Sequence, residues 1–207
     1  MKLHFLLNIA LVFGWLTVAQ AKNSQPSREE SAPVNVGVLD QDLLSRLVVE
    51  ETNRFRISQG RGPLTVSQPL TTAAVGHAKA MAENGFFAHK NPHDSRQRNL
   101  TDRISHAGLK SRAVAENIAL TYALDFRDLQ AWIRDSRGSR SRQAPPVLEY
   151  TYRALARSVV QQWINSQGHR RNLLGRPYSQ IGLGFAAAKD PQGRGKVYCV
   201  QTFCASL

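Results

Sequence analysis

The chain changes hydrophobic period near its C-terminal end, and that change limits the folds open to it. In SQIGLGFAAA, Ile181, Leu183 and Phe185 fall on one side while Gly182, Gly184 and Ala186 fall on the other. This is the pattern of a β-strand, whose successive side chains point to opposite faces. A face made of glycine and alanine lets another element's backbone come close, so a helix is expected to lie across it. KVYCVQTFCAS follows after KDPQGRG, whose Asp-Pro step and two glycines supply turn chemistry. The two runs are therefore expected to pair as an antiparallel hairpin.

Upstream the period is helical. DLLSRLVVEETNRFRISQG sets Leu44, Leu47, Val48, Glu51 and Phe55 on one stripe, with Asp40 as candidate N-cap and Gly60 just beyond the end. QPLTTAAVGHAKAMAENG, capped at Ser67, puts Leu70, Ala73, Ala74, His77 and Met81 on a shared face and stops at Gly85. His77 on that face reads as a core histidine rather than a ligand, and Glu51 as a structural carboxylate that needs Arg54, Arg103 or Asn53 as partner. TDRISHAG is a short helix that Thr101 is expected to cap, and RAVAENIALTY reads as a short helix or irregular segment. TYRALARSVVQQWINSQG repeats Leu155, Val159 and Trp163 every fourth residue, with Gly168 read as lying past its end. Asn172 is expected to tie down the loop that follows. Helices first and antiparallel strands last predict an α+β domain with helices packed around a small antiparallel sheet.

Residues 1–21, MKLHFLLNIALVFGWLTVAQA, combine an early lysine, an apolar run and an Ala-Gln-Ala ending, the form of a cleaved secretory signal. The run is shorter than the ~20 residues that a transmembrane helix needs, and no later stretch approaches that length. Residues 22–39 are rich in Ser, Pro and charge and read as a flexible leader; the domain is expected over 40–207, with an Arg-rich insertion near 127–147. Removing one lysine and no acid with the signal takes the formal charge from +12 to +11. A strongly basic exported chain favours anionic surfaces, such as an envelope polymer or anionic lipid. The arginines at 134–146 lack interleaved aromatics, so no specific nucleic-acid site is expected. Cys199 and Cys204 are five apart; on a regular strand they face opposite ways, and a disulfide between them needs a bulge or an early strand end.

No GxGxxG, P-loop, HExxH, CxxC or GxSxG occurs. Several separated stretches do follow one known order: ETNRFRISQGRGPL, LTTAAVGHAKAMAENGFFAH, DRISHAG, AENIA, VVQQWINSQGHRRNLL, IGLGFA and VYCVQTF. Together, from about residue 43 to 204, they resemble the CAP superfamily of cysteine-rich secretory, antigen 5 and pathogenesis-related proteins (SCP-like domains), in its bacterial secreted form. The resemblance implies an α-β-α sandwich and a periplasmic or extracellular location. It also implies a cleft of two histidines and two acids, which maps here to His89 in FFAH, Glu116 in AEN and His169 after Gly168. The second acid is missing, since Ser166 stands three positions after Trp163 where the pattern has glutamate.

Two imidazoles converging on one point can hold Zn²⁺ or another divalent cation through nitrogen at roughly 2.0–2.1 Å, with a carboxylate orienting them. They can equally hydrogen-bond Glu116 or backbone and pin loops onto helices. His89 and His169 are thus candidate metal ligands, and His89, Glu116 and His169 a candidate ligand-binding cleft. Trp163, Asn172, His77 and Glu51 carry structural roles. No activated nucleophile or paired carboxylate is present, so a binding or scaffolding role toward a small ligand, lipid or envelope polymer is expected. The alternative is a metal-assisted hydrolase acting on a peptide or envelope polymer.

Overall fold

The computed structural model describes residues 26–111, 113–126, 130 and 146–205. The expected signal over 1–21, the start of the leader and most of the Arg-rich insertion near 127–147 lie outside the described residues.

The expected hairpin is formed by β5 (Gln180–Lys189) and β6 (Gly195–Cys204), with Ile181 opposite Phe203 and Lys189 opposite Gly195. A third strand, β2 (Val114–Tyr122), runs antiparallel along the other side of β6. β1 (Thr65–Val66) pairs parallel to β5, so the sheet order β1-β5-β6-β2 is mixed, not purely antiparallel. β3 (Leu124–Asp125) and β4 (Leu148–Glu149) make a separate two-stranded piece.

Helices cover both faces. α2 (Gln68–Asn84) and α3 (Leu100–His106) lie on one side; α1 (Gln41–Ser58), α4 (Tyr152–Asn165) and α5 (Gln167–Leu173) lie on the other. Ile181, Leu183 and Phe185 enter the core shared with α1 and α4, as the alternation predicts. A Cβ built on Gly182 would collide with the backbone of Leu70 and Thr71, and one on Gly184 with that of Ala74 and Val75. The glycine face is the seat of α2, and its backbone sits where side chains would otherwise stand.

Four readings are corrected. RAVAENIALTY contributes strand β2: helices cover both sheet faces, so the polar residues Glu116 and Asn117 are buried and the polar-out alternation of a half-exposed strand is absent. α3 begins after Asn99, not Thr101, because the Asp102 carboxylate accepts from the Asn99 backbone N–H at 3.0 Å. α4 ends at Asn165, and Ser166, in extended conformation, both closes it and opens α5. Gly168 is therefore inside α5, and His169 is a helical residue. The leader is docked over residues 30–34: Val34 is 2% exposed and donates to Tyr150 O at 2.8 Å, and buried Glu30 pairs with Arg153 at 2.8 Å and Arg46 at 3.0 Å.

Cys199 and Cys204 are both free and buried. Cys199 lies in the core under α1 and α4, whereas Cys204 lies with Leu70, Ala73 and Ile104 under α2 and α3. The regular strand leaves one thiol on each side of the sheet, and no bulge brings them together.

Candidate functional site

α2 ends at Gly85, whose φ of +66 turns the chain into the loop 86–99. That loop is held from within: Asn91 N–H donates to Arg98 O at 2.9 Å, and Asn91 Oδ1 accepts from His93 N–H at 2.9 Å. It delivers His89 over the first part of β2. There the His89 Nδ1–H donates to Glu116 Oε1 at 2.9 Å. The other oxygen, Oε2, accepts from Arg103 of α3 at 2.6 Å.

Glu116 and Arg103 are closed to water, their side chains being 3% and 1% exposed, while the His89 ring is 56% exposed. Burial works to raise the Glu116 pKa, but the His89 hydrogen bond and the Arg103 charge outweigh it and hold the carboxyl below its usual range. The carboxylate is ionised and both oxygens are used. Its evident work is orientation: with Nδ1–H bound to Glu116, His89 turns its Nε2 outward. Arg103 also donates to the carbonyls of His89, Gln97 and Arg98 at 3.1–3.3 Å, tying the loop to the ion pair.

His77 lies beneath this group, fully buried, and its Nε2–H donates to Ala88 O at 2.9 Å. Burial, then the neighbouring Arg103 charge, lower its pKa and keep it neutral. It sits on the buried face of α2, and its Nδ1 has no hydrogen-bond partner among the described residues.

His169 reaches the site from α5, on the other side of the β2 edge. Asn117 Nδ2 donates to His169 O at 3.3 Å, and Asn172 Nδ2 donates to Glu116 O at 3.2 Å and Asn117 Oδ1 at 2.8 Å. Asn117 continues through Gln201 at 3.1 Å to Thr52 of α1, which accepts from Gln201 Nε2 at 3.0 Å. Asn172 thus ties α5 to the strand that carries Glu116. Burial, followed by the positive field of His89, lowers the His169 pKa.

Trp163 is 1% exposed, and its indole N–H donates to Ile118 O at 3.2 Å, next along the same edge. Glu51 pairs with Arg54 at 2.9 Å, as the sequence suggests, and with Arg157 of α4 at 3.1 Å. Of the other two proposed partners, Arg103 pairs with Glu116, and Asn53 bonds the backbone of Leu64 instead. The sequence reading missed Asn117, Gln201 and Arg103's role in the site. It also missed buried Arg56, which donates to Leu173 O at 2.6 Å and fixes the end of α5. Arg103 carries one available signal, since a basic residue beside Ile104 on a short helix demands a buried acid or carbonyls.

The donor set falls short of a resident metal site. Among the described residues no group of three or more His, Cys, Asp or Glu side chains could hold a metal ion. Both Glu116 oxygens are already engaged, so two imidazoles remain where protein-held zinc takes at least three ligands. Ser166 adds no charge in place of the missing acid.

Comparison with known proteins bears on the whole arrangement. The model of the CAP family, the cysteine-rich secretory protein family, matches residues 49–203. The uncharacterized membrane protein YlbC of Bacillus subtilis is 26% identical over 144 residues, covering 70% of this chain and 32% of YlbC. The uncharacterized protein YkwD of the same organism is 25% identical over 167 residues, covering 81% of this chain and 50% of YkwD. The chain thus spans 32% and 50% of the length of these two relatives. An extracellular protein containing an SCP domain from Bacillus anthracis shares the fold with a TM-score of 0.57 at 22% identity, over 85% of this chain and 45% of that one.

Proposed function

The chain belongs to the cysteine-rich secretory protein (CAP) family, and on that premise we propose that it is an exported binding module whose cleft, formed by His89, Glu116 and His169, engages a polar or anionic envelope component. The observation that carries this reading is the saturation of Glu116. A general base or acid needs a carboxylate oxygen free to take or give a proton at the substrate. Here Arg103 and His89 occupy both oxygens, and the carboxyl is held ionised. The group positions a ring and has no free oxygen with which to shuttle a proton. What faces outward is the nitrogen of His89, with His169 nearby, and two imidazoles of this kind accept or donate hydrogen bonds to a ligand.

Export is supported by the signal-like residues 1–21 and by the extracellular nature of the matched Bacillus anthracis protein. No helix among the described residues is long and apolar enough to cross a membrane. The net charge of +12 favours anionic surfaces.

The test is co-sedimentation of the purified protein with isolated envelope fragments at two salt concentrations, beside His89→Ala and His169→Ala. Retention that weakens in both variants supports the cleft as the contact. Equal retention of both variants overturns it. Hydrolysis of the fragments, lost in Glu116→Gln, makes the protein an enzyme and overturns the binding reading.

A further inference from the structure

We propose that a second site, a groove between α4 and the exposed end of β2, binds an extended polysaccharide strand. The groove has a volume of about 970 Å³ and is lined on one side by Leu120, Tyr122 and Phe126 and on the other by Arg157, Gln161 and Gln162. None of His89, Glu116 and His169 lines it, so the inference is independent of the cleft reading. Its size lies at the upper end of the ~300–1,000 Å³ of ligand sites.

Three properties of the lining select the ligand. First, aromatic rings stand on the strand side: Tyr122 and Phe126 meet edge to face at 5.9 Å, and the Arg194 guanidinium covers the Tyr122 ring at 4.9 Å. The apolar Phe126 ring and the Tyr122 ring, whose hydroxyl accepts from Arg194 at 3.3 Å, suit a ligand with C–H faces and hydroxyl edges. Second, the helix side carries uncharged carboxamides. Gln161 donates to Asn165 at 2.8 Å, and Gln162 makes no side-chain hydrogen bond among the described residues. Arg157 commits only its Nε, to Glu51, and leaves its two terminal nitrogens available. Carboxamides and guanidinium offer paired donors and acceptors of the kind that vicinal hydroxyls satisfy.

Third, the backbone edge is bare for only a short stretch. Glu116 O and Ile118 O face outward and are capped by Asn172 and Trp163, whereas Ala123 N–H turns inward to Gly195 O. By this alternation Leu120 and Tyr122 are the next residues whose N–H and C=O face the groove; Thr121 Oγ1 donates to Tyr122 O at 3.4 Å, and no side chain among the described residues caps Leu120. Two such residues, one with its carbonyl already engaged, are too few to seat a peptide as an added strand, which relies on a run of main-chain bonds. The polar helix wall disfavours a lipid tail, since the carboxamides would lose water without replacement. A polysaccharide uses both walls.

The test is titration of the ¹⁵N-labelled full chain with β-1,4-linked N-acetylglucosamine hexaose, cellohexaose, a hexameric uronate and soluble peptidoglycan glycan strands, followed by amide shifts. At least one glycan is expected to shift the amides of Tyr122, Gln161 and Gln162. The double variant Gln161→Ala/Gln162→Ala, at exposed helix positions where alanine is well tolerated, is expected to weaken it roughly tenfold by loss of its hydrogen bonds. His169→Ala, which does not line the groove, is expected to leave the glycan-induced shifts of Tyr122, Gln161 and Gln162 in place. The inference is overturned if no glycan in the set shifts these amides, or if the double variant binds as well as wild type. It is also overturned if a strand-forming peptide or decanoate shifts the same amides while the glycans do not. Glycan binding lost in His169→Ala and kept in the double variant would place the sugar in the cleft, leaving the proposed function standing and this groove without a role.

Discussion

Arg103 and Glu116 form a 2.6 Å ion pair closed to water, and it joins α3 to the first part of β2. A buried pair of this kind adds little net stability over apolar residues of the same size, yet breaking it strands one charge without water or partner. Arg103→Met is expected to lower unfolding free energy by about 3–5 kcal/mol, measured by urea denaturation. Arg103→Met combined with Glu116→Gln is expected to recover part of that loss, because the orphaned charge is gone. A double variant as unstable as Arg103→Met alone would show that the arginine's three bonds to loop carbonyls, not the ion pair, hold this region.

His77 supplies a pH dependence whose sign is fixed by its burial. Its pKa in the folded protein lies below the ordinary value of 6.5, because burial and then Arg103 disfavour the imidazolium. The unfolded chain therefore takes up the proton first as pH falls. Stability from the neutral ring is fully present above about pH 6.5 and is lost progressively below it, toward the lower folded pKa. The urea midpoint is expected to fall from pH 7.5 to pH 5.5, and to fall less in His77→Gln, which keeps a donor for Ala88 O. Equal slopes for the two proteins would remove His77 as the source.

Gly184 tests the close seat of α2. A side chain there meets the α2 backbone at Ala74 and Val75, which cannot move aside as a flexible side chain can. Gly184→Val is expected to destabilise by more than about 3 kcal/mol, beyond the usual cost of overpacking. Gly168→Ala, in α5 with open space at its Cβ, is expected to be neutral or stabilising by up to ~1 kcal/mol. Thermal unfolding of the two variants gives the comparison, and a well-folded Gly184→Val with an unchanged transition would contradict the packing argument.

Local pattern determined much of this protein. Residue spacing placed α1, α2 and α4 and the β5–β6 hairpin, because each has one face against the core and repeats its apolar residues at its own period. The glycine alternation from Gly182 to Ala186 announced the close helix, and strand parity kept Cys199 and Cys204 apart. His77 and Trp163 were read from their helix positions, Asn172 was expected in a loop and stands in α5, and the CAP resemblance rested on the order of motifs along the chain. Tertiary structure decided the rest. β2 is covered on both faces, so burial erased the polar-out alternation that would mark it as a strand. The partner of Glu116 is Arg103, thirteen residues upstream on another element, and Asn117 reaches Gln201 across the sheet. No local period encodes such pairs, because they exist only once the helices and the sheet are stacked. The docking of residues 30–34 follows the same logic: Glu30 looks like one more charge in a polar tail until folding brings Arg46 and Arg153 around it.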